Sequence, residues 1–317
     1  MRKLLALAAC GVLALGVAAC GDDDDNGGGS AGGGGGDLSG TIRVDGSSTV
    51  APLTEAAAEL FQGENSDVRV TVGTSGTGGG FEKFCAGETD ISDASRAIEE
   101  DEVALCKKNG VEFEEIQVAN DGLTVVVNPN NDFATCLTVP ELKKIWEPKS
   151  QVKNWSDVKA DFPDEEMELF GAGTDSGTFD YFTEAINGEE GASRTDYNAT
   201  EDDNVTVQGV QGSEGGIGYF GLSYAEQNAD TVKPVEVDGG DGCVAPSSET
   251  VQDGTYKPLS RPLFIYPSAK ALKRPEVKAF LEFYLENQAQ ITEQALFVPM
   301  TDEQISESQD RVAKLAG

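Results

Sequence analysis

The stretch VRVTVGTSGTGGGFEKFCAGETDISDAS, Val68 to Ser95, decides the fold. VRVTVG places valine at every second position, the alternation of a strand. A run of glycine, serine and threonine follows. GGGFEKFCAG then reads as a helix and DISDAS as a second strand. Strand, small-residue turn, helix and strand in this order specify an α/β unit with a largely parallel sheet.

Working outward, the same grammar recurs. On the N-terminal side TIRVDG is strand-like and runs into STVAPLTEAAAELFQGEN, where Leu53, Ala57, Leu60 and Phe61 share one helical face. On the C-terminal side EEDEVALCKKNG is a helix ending at Gly110, and VEFEEIQVA and LTVVVN supply two more strands. A second lobe begins near Asn128 with VPELKKIWEP as helix, MELFGAG as strand, SGTFDYFTEAING as helix and GGIGYFGLS as strand. RPEVKAFLEFYLENQ carries the stripe Val277, Phe280, Leu281, Tyr284 and Leu285, a core face. DEQISESQDRVAKLA forms a more polar last helix.

The 317 residues hold 56 acidic and 23 basic side chains and no histidine, for a net charge of −33. Such acidity excludes a nucleic-acid backbone partner, which needs clustered Lys and Arg. It leaves open a small anion, which responds to local donors. The lack of histidine removes the Ser-His-Asp triad, the histidine general base and histidine metal sites. No metal site or cofactor is expected.

The first twenty residues, MRKLLALAACGVLALGVAAC, read as a secretion signal with a basic start and a short apolar run. Val17-Ala18-Ala19-Cys20 looks like a lipobox, so Cys20 is the expected lipidated first mature residue, tethering the protein to the outer face of the cell membrane. Residues 21–38, rich in Gly and Asp, form a flexible tether. Four cysteines remain: Cys85, Cys106, Cys136 and Cys243. In an oxidising compartment two disulfides are expected. Of the three pairings, Cys85–Cys106 and Cys136–Cys243 are favoured because each staples one lobe.

Three small-residue turns lie between a strand and a helix: Ser47-Ser48-Thr49, Ser75-Gly76-Thr77 with Gly78 to Gly80, and Ser176-Gly177-Thr178. A helix start exposes unpaired N–H groups, and glycine and hydroxyl side chains let an anion reach donors without added charge. Ser and Thr are also ordinary helix caps; it is the threefold repetition that points to an anion site. Ser95 and Arg96 end a strand, where α/β folds present ligand contacts, and a guanidinium chelates two oxyanion oxygens. Asp121 is a candidate acceptor for the proton that phosphate keeps and sulfate lacks, with Asp93 as second choice. The plainer alternatives are that Asp121-Gly122 is a turn and Arg96 a surface ion pair. Phe179, Tyr181 and Phe182 are expected to hold their helix against its sheet.

Taken together, DGSSTVAPLTEA, GTSGTGGGFEKFCAGETDISDASRAI, DGLTVVVNP, LTVPELKKIW and GTDSGTFDYF resemble the phosphate-binding proteins of phosphate ABC transporters, the PstS/SphX family, from about Gly40 to Ser268. The resemblance implies a two-lobed type II periplasmic-binding-protein fold. Its ligand cleft lies between the lobes, and two hinge crossings fall near Asn128 and Arg261. Lobe I would comprise 39–127 plus 261–317 and lobe II 128–260. It implies an extracytoplasmic, lipid-anchored monomer that binds inorganic phosphate and delivers it to an ABC permease. Phosphate donors would be Ser48, Thr49, Ser75, Ser95, Arg96, Ser176, Gly177 and Thr178. Some members carry an arginine shortly before the Ser-Gly-Thr of the second lobe; here Ala172-Gly173-Thr174-Asp175 stands there, leaving Arg96, or after it Arg194, to supply charge. The alternatives are a receptor for another tetrahedral oxyanion or an organic acid, a phosphatase or serine hydrolase using Ser176, and a structural adhesin.

Overall fold

The computed structural model describes residues 38–316. The signal segment, Cys20 and the tether as far as Asp37 lie outside the described residues.

Three parallel strands open the domain: β1 (Gly40–Gly46) lies between β2 (Val68–Gly73) and β3 (Ile91–Ala94). The helices α1 (Ala51–Glu64), α2 (Gly76–Cys85) and α3 (Glu100–Asn109) link and cover them. α1 buries Leu53, Ala57 and Phe61 as its spacing predicts, with Leu60 half-buried.

The next strand departs from expectation. VEFEEIQVA and LTVVVN do not form two strands around an Asp-Gly turn; β4 (Ile116–Val127) runs unbroken through Asp121 and Gly122. Its first half pairs antiparallel with β12 (Ser260–Pro267) and its second half with β8 (Gly216–Gly221). Turn propensity loses here because tertiary pairing decides strand context: Asp121 faces Arg261 and Gly122 faces Ser260. The chain thus passes between two halves of one sheet where β4 changes partner, at Gly122–Leu123. It returns beside that point, where Leu123 N donates to Leu259 O at 2.9 Å.

The second half follows in order: β5 (Cys136–Thr138), α4 (Val139–Trp146), α5 (Trp155–Val158), β6 (Glu168–Ala172), α6 (Gly177–Phe182), β7 (Asn198–Thr200), α7 (Asp203–Gly212), β8 and α8 (Leu222–Gln227). Then come β9 (Lys233–Pro234), β10 (Glu236–Asp238), β11 (Cys243–Val244) and α9 (Ser248–Gln252) before β12. The C-terminal helices α10 (Pro275–Glu286), α11 (Gln288–Ala295) and α12 (Asp302–Ala316) pack back on the first half. The main sheet runs β2-β1-β3-β12-β4-β8-β6-β7, and β10 joins β11 and β5 in a small separate sheet.

Each half has its own core. In the first, Phe61 packs edge-on to Phe280, and the α10 stripe from Val277 to Leu285 is buried. In the second, Phe182 stacks on Tyr219 at 3.7 Å and Trp146 stands edge-on to both. Rings of this size bury about 150–250 Å² each, so a few fix how helix meets sheet. Disulfides join Cys85 to Cys106 between α2 and α3, and Cys136 to Cys243 across the small sheet. No helix among the described residues is long and apolar enough to cross a membrane.

Candidate functional site

The sequence places glycine where β1, β3 and α2 converge. A Cβ on Gly46, whose φ is +149°, would stand 2.1 Å from Asp93 O, and one on Gly80 would stand 2.5 Å from Gly46 Cα. With only hydrogen there, three elements close to backbone contact. Their ends deliver three hydroxyl-bearing turns to one place. Ser47 N donates to Asp93 O at 2.9 Å, and Ser95 N donates to Thr77 Oγ1 at 3.2 Å. The Thr77 and Ser95 hydroxyls share a further hydrogen bond of 3.0 Å.

From the other half, α6 approaches this corner. A Cβ on Gly177 would meet Thr49 Oγ1 at 2.6 Å, so the two halves touch where Gly177 has no side chain. Tyr181 of α6 donates its hydroxyl to Pro258 O at 2.9 Å and lays its ring beneath Arg261, whose Cζ lies 3.5 Å from the ring centre. The Arg261 guanidinium is held on three sides: by that ring, by Asp121 Oδ2 at 3.1 Å from Nε, and by Thr49 Oγ1, to which Nη2 donates at 3.3 Å. Ring face, carboxylate and hydroxyl together fix a planar cation.

These groups enclose a cavity of about 60 Å³ lined by Ser47, Ser48, Thr49, Thr77, Ser95 and Arg261, with Asp180, Glu184 and Glu190 on the α6 side. On this measure a single water needs about 10–15 Å³, so the space admits a small ion.

Of the residues singled out from sequence, Ser48, Thr49 and Ser95 come together here, and Gly177 abuts Thr49. The others are placed differently. Ser75 turns away: its N–H and hydroxyl both donate to Asp45 Oδ1, and Lys83 pairs with Asp45 Oδ2 at 2.6 Å. Burial pushes the Asp45 carboxyl up, but Lys83 and Ser75 outweigh it and its net shift is downward. Arg96 is chelated by Glu102, at 2.9 and 2.8 Å, and lies outside the cavity lining; an acidic first turn of α3 captures it. Ser176 caps its own helix, accepting from Thr178 N at 3.1 Å, and neither lines the cavity. Arg194 is buried in the second half, bonded to Asp196 and to the carbonyls of Ile145 and Val152. It supplies no charge to the cavity.

The two carboxylates expected to accept a proton also sit behind the wall. Asp121 is buried and engaged by Arg261; burial raises its pKa and Arg261 opposes the rise. Asp93 is fully buried, accepts from Thr54 Oγ1 at 3.0 Å and has Oδ2 without a partner. Burial pushes its pKa up to about 8, against the Thr54 hydrogen bond and with help from Asp45 and Glu55. The carboxylates that do line the cavity are Asp180, Glu184 and Glu190, and Asp180 is raised by burial and by neighbouring Glu190.

Three residues that line the cavity, Arg261, Tyr181 and Asp180, are not among the binding residues expected from sequence. In the sequence Arg261 marks only the place of a crossing, and Tyr181 only a packing residue. Phe179 and Phe182 do pack in the core as expected, whereas Tyr181 also lines the cavity. The available signal is a rare cation opening an apolar strand at a crossing between halves.

Among the described residues, the one Cys/Asp/Glu group close enough to chelate a metal is Cys136, Glu236 and Cys243, and its two sulfurs are joined as a disulfide.

The PBP superfamily domain matches residues 31–288. The SphX protein of Synechocystis sp. is 45% identical over 295 residues, covering 92% of this chain and 84% of its own length. The phosphate-binding protein PstS of Staphylococcus saprophyticus is 42% identical over 280 residues, covering 88% and 86%. The crystal structure of a possible phosphate-binding protein from Planctomyces limnophilus superposes with a TM-score of 0.85 at 50% identity, covering 88% of this chain and 100% of that one. With a two-lobed sheet crossed by β4 and a small donor-lined cavity where the halves meet, the chain belongs to the PstS/SphX family and has its type II periplasmic-binding-protein fold.

Proposed function

We propose that the protein binds inorganic phosphate in the 60 Å³ cavity and delivers it to an ABC permease for import. One observation carries this reading at the level of the site: hydroxyls from three turns and one immobilised guanidinium line the same small space, facing the carboxylates of Asp180, Glu184 and Glu190. Arg261 supplies the charge, Ser48, Thr49, Thr77 and Ser95 donate, and Gly177 lets the lobes meet. We take 39–127 with 261–317 as lobe I and 128–260 as lobe II, moving about the β4 partner change. Asp180 accepts a proton from the ion, which favours phosphate over sulfate, an ion with no proton to give.

The family is one of transporter substrate-binding proteins, not of enzymes. Such proteins work outside the cytoplasm. The lipobox at Cys20 supports attachment through lipid, and we take the protein to act as a monomer.

Calorimetry with phosphate and with sulfate tests the reading. Saturable heat with phosphate and little with sulfate is expected; no phosphate heat, or equal affinity for sulfate, refutes it. Turnover of a phosphate ester lost in Ser176→Ala would revive the hydrolase alternative.

A further inference from the structure

A second cavity, of about 820 Å³, lies at the other end of the first-lobe strands. The ion cavity sits beyond Gly46 and Ala94, at the C-terminal ends of β1 and β3. This one sits below their N-terminal halves, where Asp90 precedes β3 and Ser268 follows β12. Arg43, Lys270, Lys273 and Arg274 line it, against two carboxylates, Asp90 and Glu112. In a chain with 56 acidic and 23 basic side chains this is an island of opposite sign. Screening over about 8 Å at physiological ionic strength means the local cations, not the distant carboxylates, set what the cavity attracts.

Asp90, 7% exposed, accepts from Arg43 N at 2.9 Å and pairs with both arginines, Arg274 Nη2 at 2.9 Å and Arg43 Nε at 3.6 Å, and Arg274 Nε also lies 3.7 Å from Glu276. Thr89 Oγ1 is buried in the wall without a partner. Lys270 and Lys273 are exposed, and neither makes an ion pair among the described residues. Arg274 also donates to Thr41 O at 3.1 Å, so β1, the strand by which the chain enters the domain, forms part of this wall.

We infer that this cavity is a second anion site that takes a glycerophosphate group. It holds far more than one inorganic ion, its cations chelate phosphate oxygens, and Asp90 accepts from a glycerol hydroxyl. Two sources carry that group: the headgroup of an anionic phospholipid, and free glycerol phosphate. The site is independent of the transport cleft, with which it shares no lining residue.

Hydrogen exchange on the full lipidated chain tests this, with inorganic phosphate present throughout to fill the cleft. One arm uses vesicles of phosphatidylglycerol against phosphatidylcholine; the other uses soluble sn-glycerol 3-phosphate. Slower exchange at residues 86–90 and 269–274 is expected, and the double variant Lys270→Glu/Lys273→Glu should weaken it by about tenfold per lysine. Protection with phosphatidylglycerol alone names the lipid as source, and protection by the soluble ester names the free compound. No protection in either arm, equal protection on phosphatidylcholine, or an unaffected double variant overturns the proposal. A separate pair of runs with and without inorganic phosphate, lacking vesicles and ester, reads the cleft at residues 47–49, so failure of one site is distinguishable from failure of the other.

Discussion

Arg261 and Asp121 stand directly opposite each other on neighbouring strands, Nε to Oδ2 at 3.1 Å, at the point where the sheet passes from one lobe to the other. The pair is nearly sealed from solvent, with side chains 14% and 7% exposed. On the proposed function it joins the crossing between halves and the phosphate site in one contact, because the same guanidinium lines the cavity.

Arg261→Met should abolish most phosphate binding. A charge-assisted hydrogen bond contributes about 1.5–3 kcal/mol, so loss of the one cation that lines the cavity among the described residues predicts a fall of about tenfold to a hundredfold in affinity by calorimetry. It should also lower the melting temperature, since it leaves Asp121 buried and unpaired, a loss of about 3–5 kcal/mol. Adding Asp121→Asn should recover stability without recovering binding. Recovery of both would show that the arginine does not touch the ion.

Gly177→Ala should leave folding nearly intact and weaken phosphate binding. Its methyl would sit 2.6 Å from Thr49 Oγ1, so the lobes cannot approach fully. Small-angle scattering with saturating phosphate should show a more open particle than the wild type; an unchanged profile and affinity would count against closure through this contact.

Asp93 predicts a stability change with pH of defined sign. Its folded pKa, about 8, is above the unfolded value of 3.8, so the native state holds the extra proton between them. Unfolding free energy therefore falls as pH rises through that window, and most of the loss is complete above about 8. In melts between pH 5 and 9, Asp93→Asn should show a flatter profile than the wild type. Identical slopes would mean that the carboxyl is already ionised at the lower end.

Asp180→Asn should narrow the preference for phosphate over sulfate. The amide keeps an acceptor oxygen and removes the charge that repels a fully ionised anion, so sulfate should gain affinity relative to phosphate. Competition binding reads the ratio directly; an unchanged ratio assigns the proton acceptor elsewhere.

The two disulfides should differ in what their removal costs. The loops span sequence separations of 21 for Cys85–Cys106 and 107 for Cys136–Cys243. Loop-closure entropy predicts losses of about 3 and about 4–5 kcal/mol for the respective double serine variants. Chemical denaturation measures both, and a larger loss for the short loop would mean that native packing around α2 and α3 outweighs loop entropy.

Much of the fold is local in origin, and that part is legible in the chain itself. Valine alternation in VRVTVG, the α1 and α10 stripes and the glycine-rich starts of helices follow from backbone sterics and periodicity within a dozen residues. So do the absence of histidine chemistry and the hydroxyl turns at 47–49 and 76–77 with Ser95. What the sequence does not show is which groups face one another across long separations. Arg261 meets Asp121 over 140 positions and Thr49 over 212, through a strand register that no local pattern records. Arg96 is the better cation by sequence, until α3 places Glu102 beside it. Local chemistry supplied the hydroxyls, and the pairing of β4 with β12 decided which cation lines the cavity, because a buried guanidinium is stable only where a fixed carboxylate offsets its desolvation.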